Sequence, residues 1–167
     1  MSEAVVGVIM GSASDLPHMK KGLALLGDLG VPYEVSIMSA HRTPEQVAEY
    51  ASSAADRGLK VIIAAAGMAA ALPGVVAALT HLPVLGVPMP SPGFLGMDSV
   101  LSMVQMPAGV PVGTVAVGSA GARNAALLAT RILALGDESL TERLEAYRAA
   151  RQAEIEQANR DLAQDEA

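Results

Sequence analysis

The sequence predicts an open, doubly wound α/β domain: a parallel sheet of about five strands with helices on both faces. Three observations carry this. Short apolar runs alternate with longer segments of helical spacing. The runs are apolar throughout rather than every second residue, as strands buried on both faces must be. Each run ends in a junction rich in Gly, Ser or Pro. Right-handed crossovers between such strands wind the sheet both ways from its middle.

The elements follow in order. "AVVGVIM" (4–10) is a short apolar run stopped by Gly11, hence a strand. "LPHMKKGLALLGDLG" (16–30) spaces Met19, Leu23 and Leu26 on one helical face, and Gly30 supplies the C-terminal stop. "YEVSIM" (33–38) is the second strand. "TPEQVAEYASSAADRG" (43–58) opens with Thr43 as N-cap, Pro44 at the first helical position and Gln46 two residues on. This predicts a capping box and a helix running to Gly58. "VIIAAA" (61–66) and "PVLGVPM" (83–89) are the third and fourth strands, with a small-residue helix over about 69–79 between them. A short helix starts near Asp98 and Ser99. "VGTVAV" (112–117) is the fifth strand, and "GARNAALLATRILALG" (121–136) the helix behind it. A charged helix over 139–164 closes the chain. Its apolar side is Leu140, Leu144, Tyr147, Ile155 and Leu162, and it extends past the last strand, so it is expected to pack on a neighbouring subunit.

Composition narrows the function. A single domain is expected over 1–167, with its core in 4–136. The chain is 51% hydrophobic and only 17% charged, with one Phe, three Tyr and no Trp. Its core is therefore built from Ala, Val, Leu and Met, and a chain so apolar is expected to hide surface between subunits. A net charge of −6 argues against binding a phosphate backbone, so no nucleic-acid partner is expected. Without cysteine there are no disulfides, thiol nucleophiles or thiolate metal sites. That fits a reducing compartment, and the start "MSEAVVGVIMGS" does not read as a secretory signal; a cytoplasmic protein is expected. No Asp, Glu, Lys or Arg occurs between Lys60 and Asp98, a stretch long enough to span a bilayer. Repeated Gly and Pro break it, so it reads as buried strand, helix and strand, with no membrane partner.

Ligands of open α/β sheets bind beyond the carboxyl ends of the strands. The chemistry is therefore sought in "GSASD" (11–15), "SAHRTP" (39–44), "AGMAAALPG" (66–74) and "PSPGFLGMDS" (90–99). The first offers the flexible backbone of Gly11, the hydroxyls of Ser12 and Ser14 and the free N–H groups of the next helix, a combination suited to an anion. Asp15 suits a helix cap or ligand hydroxyls such as those of a ribose. The second brings Arg42, whose planar fork matches phosphate. It also brings His41, an imidazole facing a Ser/Gly loop, hence a general acid/base candidate. His18, beside Pro17, reads as a surface residue, and His81 as part of a turn.

Absent features exclude competitors. The first junction lacks the G-x-G-x-x-G of dinucleotide binding, and the second carries no acid for a ribose. A flavin has few aromatics to stack on. A phospho-accepting receiver would need an Asp after the third strand and a Lys after the fifth, where this chain has Ala64 to Gly67 and Gly118-Ser119. Only His41 and Asp15 offer themselves to a metal, so no metal site is expected.

Several motifs in register, "MGSASD", "SAHRTP", "AG-x-A-A-x-L-P-G", "G-x-DS-x-x-S-x-VQMP" and "NAALLA", resemble the PurE family of purine biosynthesis from Val5 to about Leu135. The resemblance implies a three-layer, flavodoxin-like α/β/α fold assembled as a homo-octamer. It also implies a mutase that moves a carboxylate from the exocyclic nitrogen of N5-carboxyaminoimidazole ribonucleotide to carbon 4 of the ring, without cofactor and with CO2 as intermediate. A second branch of the family carboxylates aminoimidazole ribonucleotide with free CO2. By this resemblance His41 is the proton carrier, and Ser12, Asp15 and Arg42 hold the ribose phosphate. Gly11, Ser14, Ser39, Ala40, Ala66, Gly67, Ala69, Ala70, Ala71 and Leu72 complete the substrate site. The chain departs from the mutase pattern at Ala71, where histidine is usual, and at Met68, where glycine is usual. The first departure keeps the CO2-using reading open, as well as a non-catalytic nucleotide-monophosphate-binding module.

Overall fold

Five parallel strands, β1 (Val6–Met10), β2 (Tyr33–Ile37), β3 (Val61–Ala66), β4 (Val84–Pro88) and β5 (Gly113–Thr114), pair in the order β2-β1-β3-β4-β5. The computed structural model describes residues 3–165, so residues 1–2 and 166–167 of the predicted domain lie outside the described residues. Register explains the two-sided core. Val6, Val8 and Met10 of β1, with Ile63 and Ala65 of β3, face one apolar cluster. Ile9, Ile62, Ala64 and Ala66 face the other. The first cluster is closed by α1 (Leu16–Asp28), α5 (Gly118–Ala134) and the start of α6 (Glu138–Asp165) through Met19, Leu26, Ala125, Ala126 and Leu140. The second is closed by α2 (Pro44–Ser53), α3 (Leu72–Leu79) and α4 (Met97–Val104) through Val47, Ala51, Leu72, Val76 and Met103. The expected three layers are thus present.

Local chemistry sets the element ends. Gly30 and Gly58 take left-handed backbone, φ 65° and 92°, and stop the chain after α1 and after the turns that follow α2. Asp137 caps α6 by accepting from the Ser139 N–H at 3.0 Å.

Four expectations need correction. The Thr43–Gln46 capping box does not form. Thr43 Oγ1 instead accepts from the Ser39 N–H at 2.9 Å and donates to the Ser39 carbonyl at 3.2 Å, so it closes the β2–α2 turn. α2 ends at Ser53, and irregular turns lead to Gly58. β2 is not buried on both faces, because an edge strand lies beyond the helix layer; Tyr33, Val35 and Ile37 are exposed. β5 is two residues long rather than six. Its edge position leaves only Leu85 and Gly86 to pair with, although Val115 N–H still reaches the Gly86 carbonyl at 3.1 Å.

Candidate active site

The carboxyl ends of β1 to β4 open on one cavity of about 740 Å³. All fourteen predicted site residues line it: His41, Gly11, Ser12, Ser14, Asp15, Ser39, Ala40, Arg42, Ala66, Gly67, Ala69, Ala70, Ala71 and Leu72. Residues from four separate stretches meet there because parallel strands end on the same edge.

The first wall is built from "GSASD". Ser12 has extended backbone (φ −153°, ψ 152°) and caps the 3₁₀ turn Ala13–Asp15 that leads into α1. Its Oγ accepts from the Ser14 N–H at 3.2 Å, and the Asp15 carboxylate accepts from the Ser12 N–H at 3.1 Å. The capping box expected at Thr43 is found here instead. Ser14 Oγ lies 2.8 Å from Ser12 Oγ. Asp15 is 7% exposed. Burial pushes its carboxyl above the ordinary range, opposed by the hydrogen bonds from Ser12 and Ser14 and by the neighbouring His18 and Arg42.

The second wall is the turn after β2. Arg42 donates its backbone N–H to Ser39 Oγ at 3.3 Å. Its guanidinium donates through Nη2 to the Gly11 carbonyl at 2.7 Å, which ties this turn to the β1 junction at the cavity wall. His41 is exposed beside it, and no protein group among the described residues takes either ring nitrogen. Its imidazole is therefore available to a ligand.

The floor is the β3–α3 loop. Met68 (φ 57°) and Ala70 (φ 42°) hold left-handed backbone, costly for residues with a Cβ. The turn is fixed by the Ala70 N–H on the Gly67 carbonyl at 3.0 Å and by Ser102 Oγ of α4 donating to the Ala69 carbonyl. It leads through Ala71 into the first turn of α3, where Pro73 carries no N–H, the Val75 N–H is taken by the Ala71 carbonyl at 3.0 Å, and Leu72 lines the cavity.

The fourth wall, Met89, Pro90, Ser91 and Pro92, together with His18 of α1, holds residues that sequence reasoning did not assign. The junction containing Ser91 was legible, but its internal ties were not. Ser91 Oγ donates to both Asp98 oxygens, at 2.7 and 2.8 Å, and Asp98 accepts from the Ser99 N–H at 2.9 Å. The Ser91 hydroxyl, followed by the Ser99 groups, draws the Asp98 carboxyl below its ordinary range. Buried Ser99 donates to the Met89 carbonyl at 2.9 Å. His18 corrects the sequence reading outright: it lines the cavity and bonds Ser119 Oγ through Nδ1 at 3.3 Å.

Among the described residues no three His, Asp or Glu side chains gather as a metal site, and no helix is long and apolar enough to cross a membrane.

A doubly wound α/β protein with a crevice at its β1/β3 switch point, holding a guanidinium, four serines, a carboxylate and two imidazoles, belongs to the class that binds small anionic ligands and has the groups for proton transfer. A family model described as AIR carboxylase matches residues 5–154, and the chain belongs to that family. It is 59% identical over 143 residues to the N5-carboxyaminoimidazole ribonucleotide mutase of Vibrio parahaemolyticus, covering 86% of this chain and 89% of that one. It is 56% identical over 146 residues to the Bacillus subtilis protein of the same name, covering 87% and 90%. The crystal structure of Treponema denticola PurE superposes with a TM-score of 0.84 at 33% identity, covering 94% of this chain and 97% of that one.

Proposed function

We infer that the chain is an N5-carboxyaminoimidazole ribonucleotide mutase of purine biosynthesis. The observation that carries this is the meeting of His41, Arg42, Ser12, Asp15 and the β3–α3 loop in one cavity, in a chain more than half identical to proteins of that name.

The ribose phosphate lies between the Arg42 fork and the Ser12–Ser14 turn, where the dipole of α1 adds positive potential. The imidazole ring and its carbamate then sit over Gly67–Leu72. The N5–carboxylate bond breaks, N5 takes a proton from protonated His41, and CO2 and aminoimidazole ribonucleotide remain side by side. Carbon 4, activated by the neighbouring amine, attacks the CO2 carbon and forms the new carbon–carbon bond. The proton on the resulting tetrahedral carbon returns to His41, which ends in its starting state. Confinement of CO2 near carbon 4 supplies the proximity advantage. Unpaired N–H groups of the Gly67–Leu72 loop stabilise carboxylate charge as it moves. The enzyme works as a homo-octamer in the cytoplasm.

A second reading is favoured by Ala71. Its methyl offers no polar contact where the family usually has histidine, so carboxylation of aminoimidazole ribonucleotide by free CO2 is the competitor. Incubation with the ¹³C-labelled carbamate in CO2-depleted buffer separates the two. The mutase gives carbon-carboxylated product that retains the label. Product formed only from aminoimidazole ribonucleotide plus added bicarbonate overturns the mutase reading.

A further inference from the structure

The reaction as written leaves His18 unused, yet its ring lines the cavity. It stands three residues beyond Asp15, across the junction from the 3₁₀ turn into α1, and is half-buried. Nδ1 is fixed by Ser119 Oγ of α5 at 3.3 Å. Gly118, at φ 64°, packs against the ring: a methyl group there would lie 3.4 Å from Nδ1, in ordinary contact. Among the described residues no protein group takes Nε2.

Holding α1 to α5 does not require this pair. At Gly22 the helices already touch backbone to backbone, since a Cβ there would stand 2.5 Å from the Ala122 carbonyl oxygen. Met19, Leu25 and Leu26 are buried against Ala122, Ala125 and Ala126 in the same interface. A half-exposed hydrogen bond at its rim adds little to that.

Position selects the ligand group. Arg42 belongs to the β2 end of the crevice, whereas His18 lies against Gly118 near Pro90, at the β4 end, with Asp15 nearer the middle. An anion beside His18 would also face the Asp15 carboxylate, which repels it. A hydroxyl suits both groups, since it can donate to the carboxylate and bond the imidazole. We propose that His18 is a substrate-binding residue that determines specificity: anchored by Ser119, it bonds through Nε2 to a sugar hydroxyl of the ribonucleotide whose neighbouring hydroxyl is held by Asp15. This rests on the reading of the cavity as a ribonucleotide site.

The test compares the parent with His18→Asn, which keeps a nitrogen towards Ser119 and removes Nε2, and with His18→Gln, which places a nitrogen near the Nε2 position. Calorimetry with ribose 5-phosphate and with inorganic phosphate is the binding readout. His18→Asn should weaken ribose 5-phosphate about tenfold and leave inorganic phosphate unchanged. KM for the carbamate should rise by a similar factor with kcat within about twofold, and His18→Gln should recover part of both. Unchanged binding of the sugar phosphate, or equal weakening of both probes, overturns the proposal. A parent that turns over the carbamate while His18→Asn behaves like it refutes the His18 assignment alone. A parent that does not turn over, with the sugar effect present, refutes the reaction and keeps the assignment.

Discussion

Burial of Asp15 works against folding and in favour of binding. Its carboxyl is raised in the folded protein mainly by loss of water, so folding favours the protonated form. That stabilisation is complete below the unfolded value of 3.8 and is lost as pH rises through the raised folded value. Asp15→Asn cannot ionise and keeps an acceptor for the Ser12 N–H. It should melt about 2 °C higher than the parent at neutral pH, with the gain vanishing near about pH 3.5, while ligand affinity falls. Calorimetric melting across that range checks this. Met68 also works against folding, as a side chain held at φ 57° where glycine is at ease. Met68→Gly should relieve about 1 kcal/mol of backbone strain, read as a raised unfolding midpoint. Sequence reasoning named both residues, because a carboxylate in a Ser/Gly turn and a methionine at a glycine position are visible in one dimension. It missed the role of His18 because the ring's partner, Ser119, lies 101 residues away.

At the scale of elements, the strand-to-helix junctions were legible because Gly, Ser and Pro punctuate apolar runs. What pins the junctions was not. The β4–α4 segment is held by Asp98 and Ser99 through side-chain bonds to Ser91 and the Met89 carbonyl, contacts with no periodic signature. Asp98→Ala removes the acceptor for Ser91 and for the Ser99 N–H. Residues 89–99 should then open more readily. Hydrogen-exchange mass spectrometry should show faster exchange confined to that segment, with α1 and α5 unchanged. The Thr43 misreading has the same origin. The spacing of Thr43, Pro44 and Gln46 fits a capping box, but the hydroxyl is taken by the Ser39 backbone when the turn closes.

For the whole molecule, the α/β/α layering followed from alternation of apolar runs and helical faces, and it holds. Edges were the weak point, since a lone strand sequence does not say whether a helix covers it. The exposed surface keeps a large apolar content: Tyr33, Val35 and Ile37 on β2, Phe94 and Leu95 beside the cavity, Leu101 and Val104 on α4, and Ile155 and Leu162 on α6. The first turns of α6 pack on the body through Leu140, Leu144 and Tyr147, whereas its later residues are exposed. Single chains rarely expose so much apolar surface. Light scattering should give a mass eight times 17.0 kDa, and a species of one chain would contradict the octamer and the interface role given to α6.

The account turns on His41 as the proton carrier in this crevice. The most direct measurement is turnover of the carbamate by His41→Asn, alongside its dissociation constant for aminoimidazole ribonucleotide. The prediction is a loss of at least about 10³-fold in kcat with affinity changed by no more than about threefold. A variant that turns over within about tenfold of the parent would contradict it.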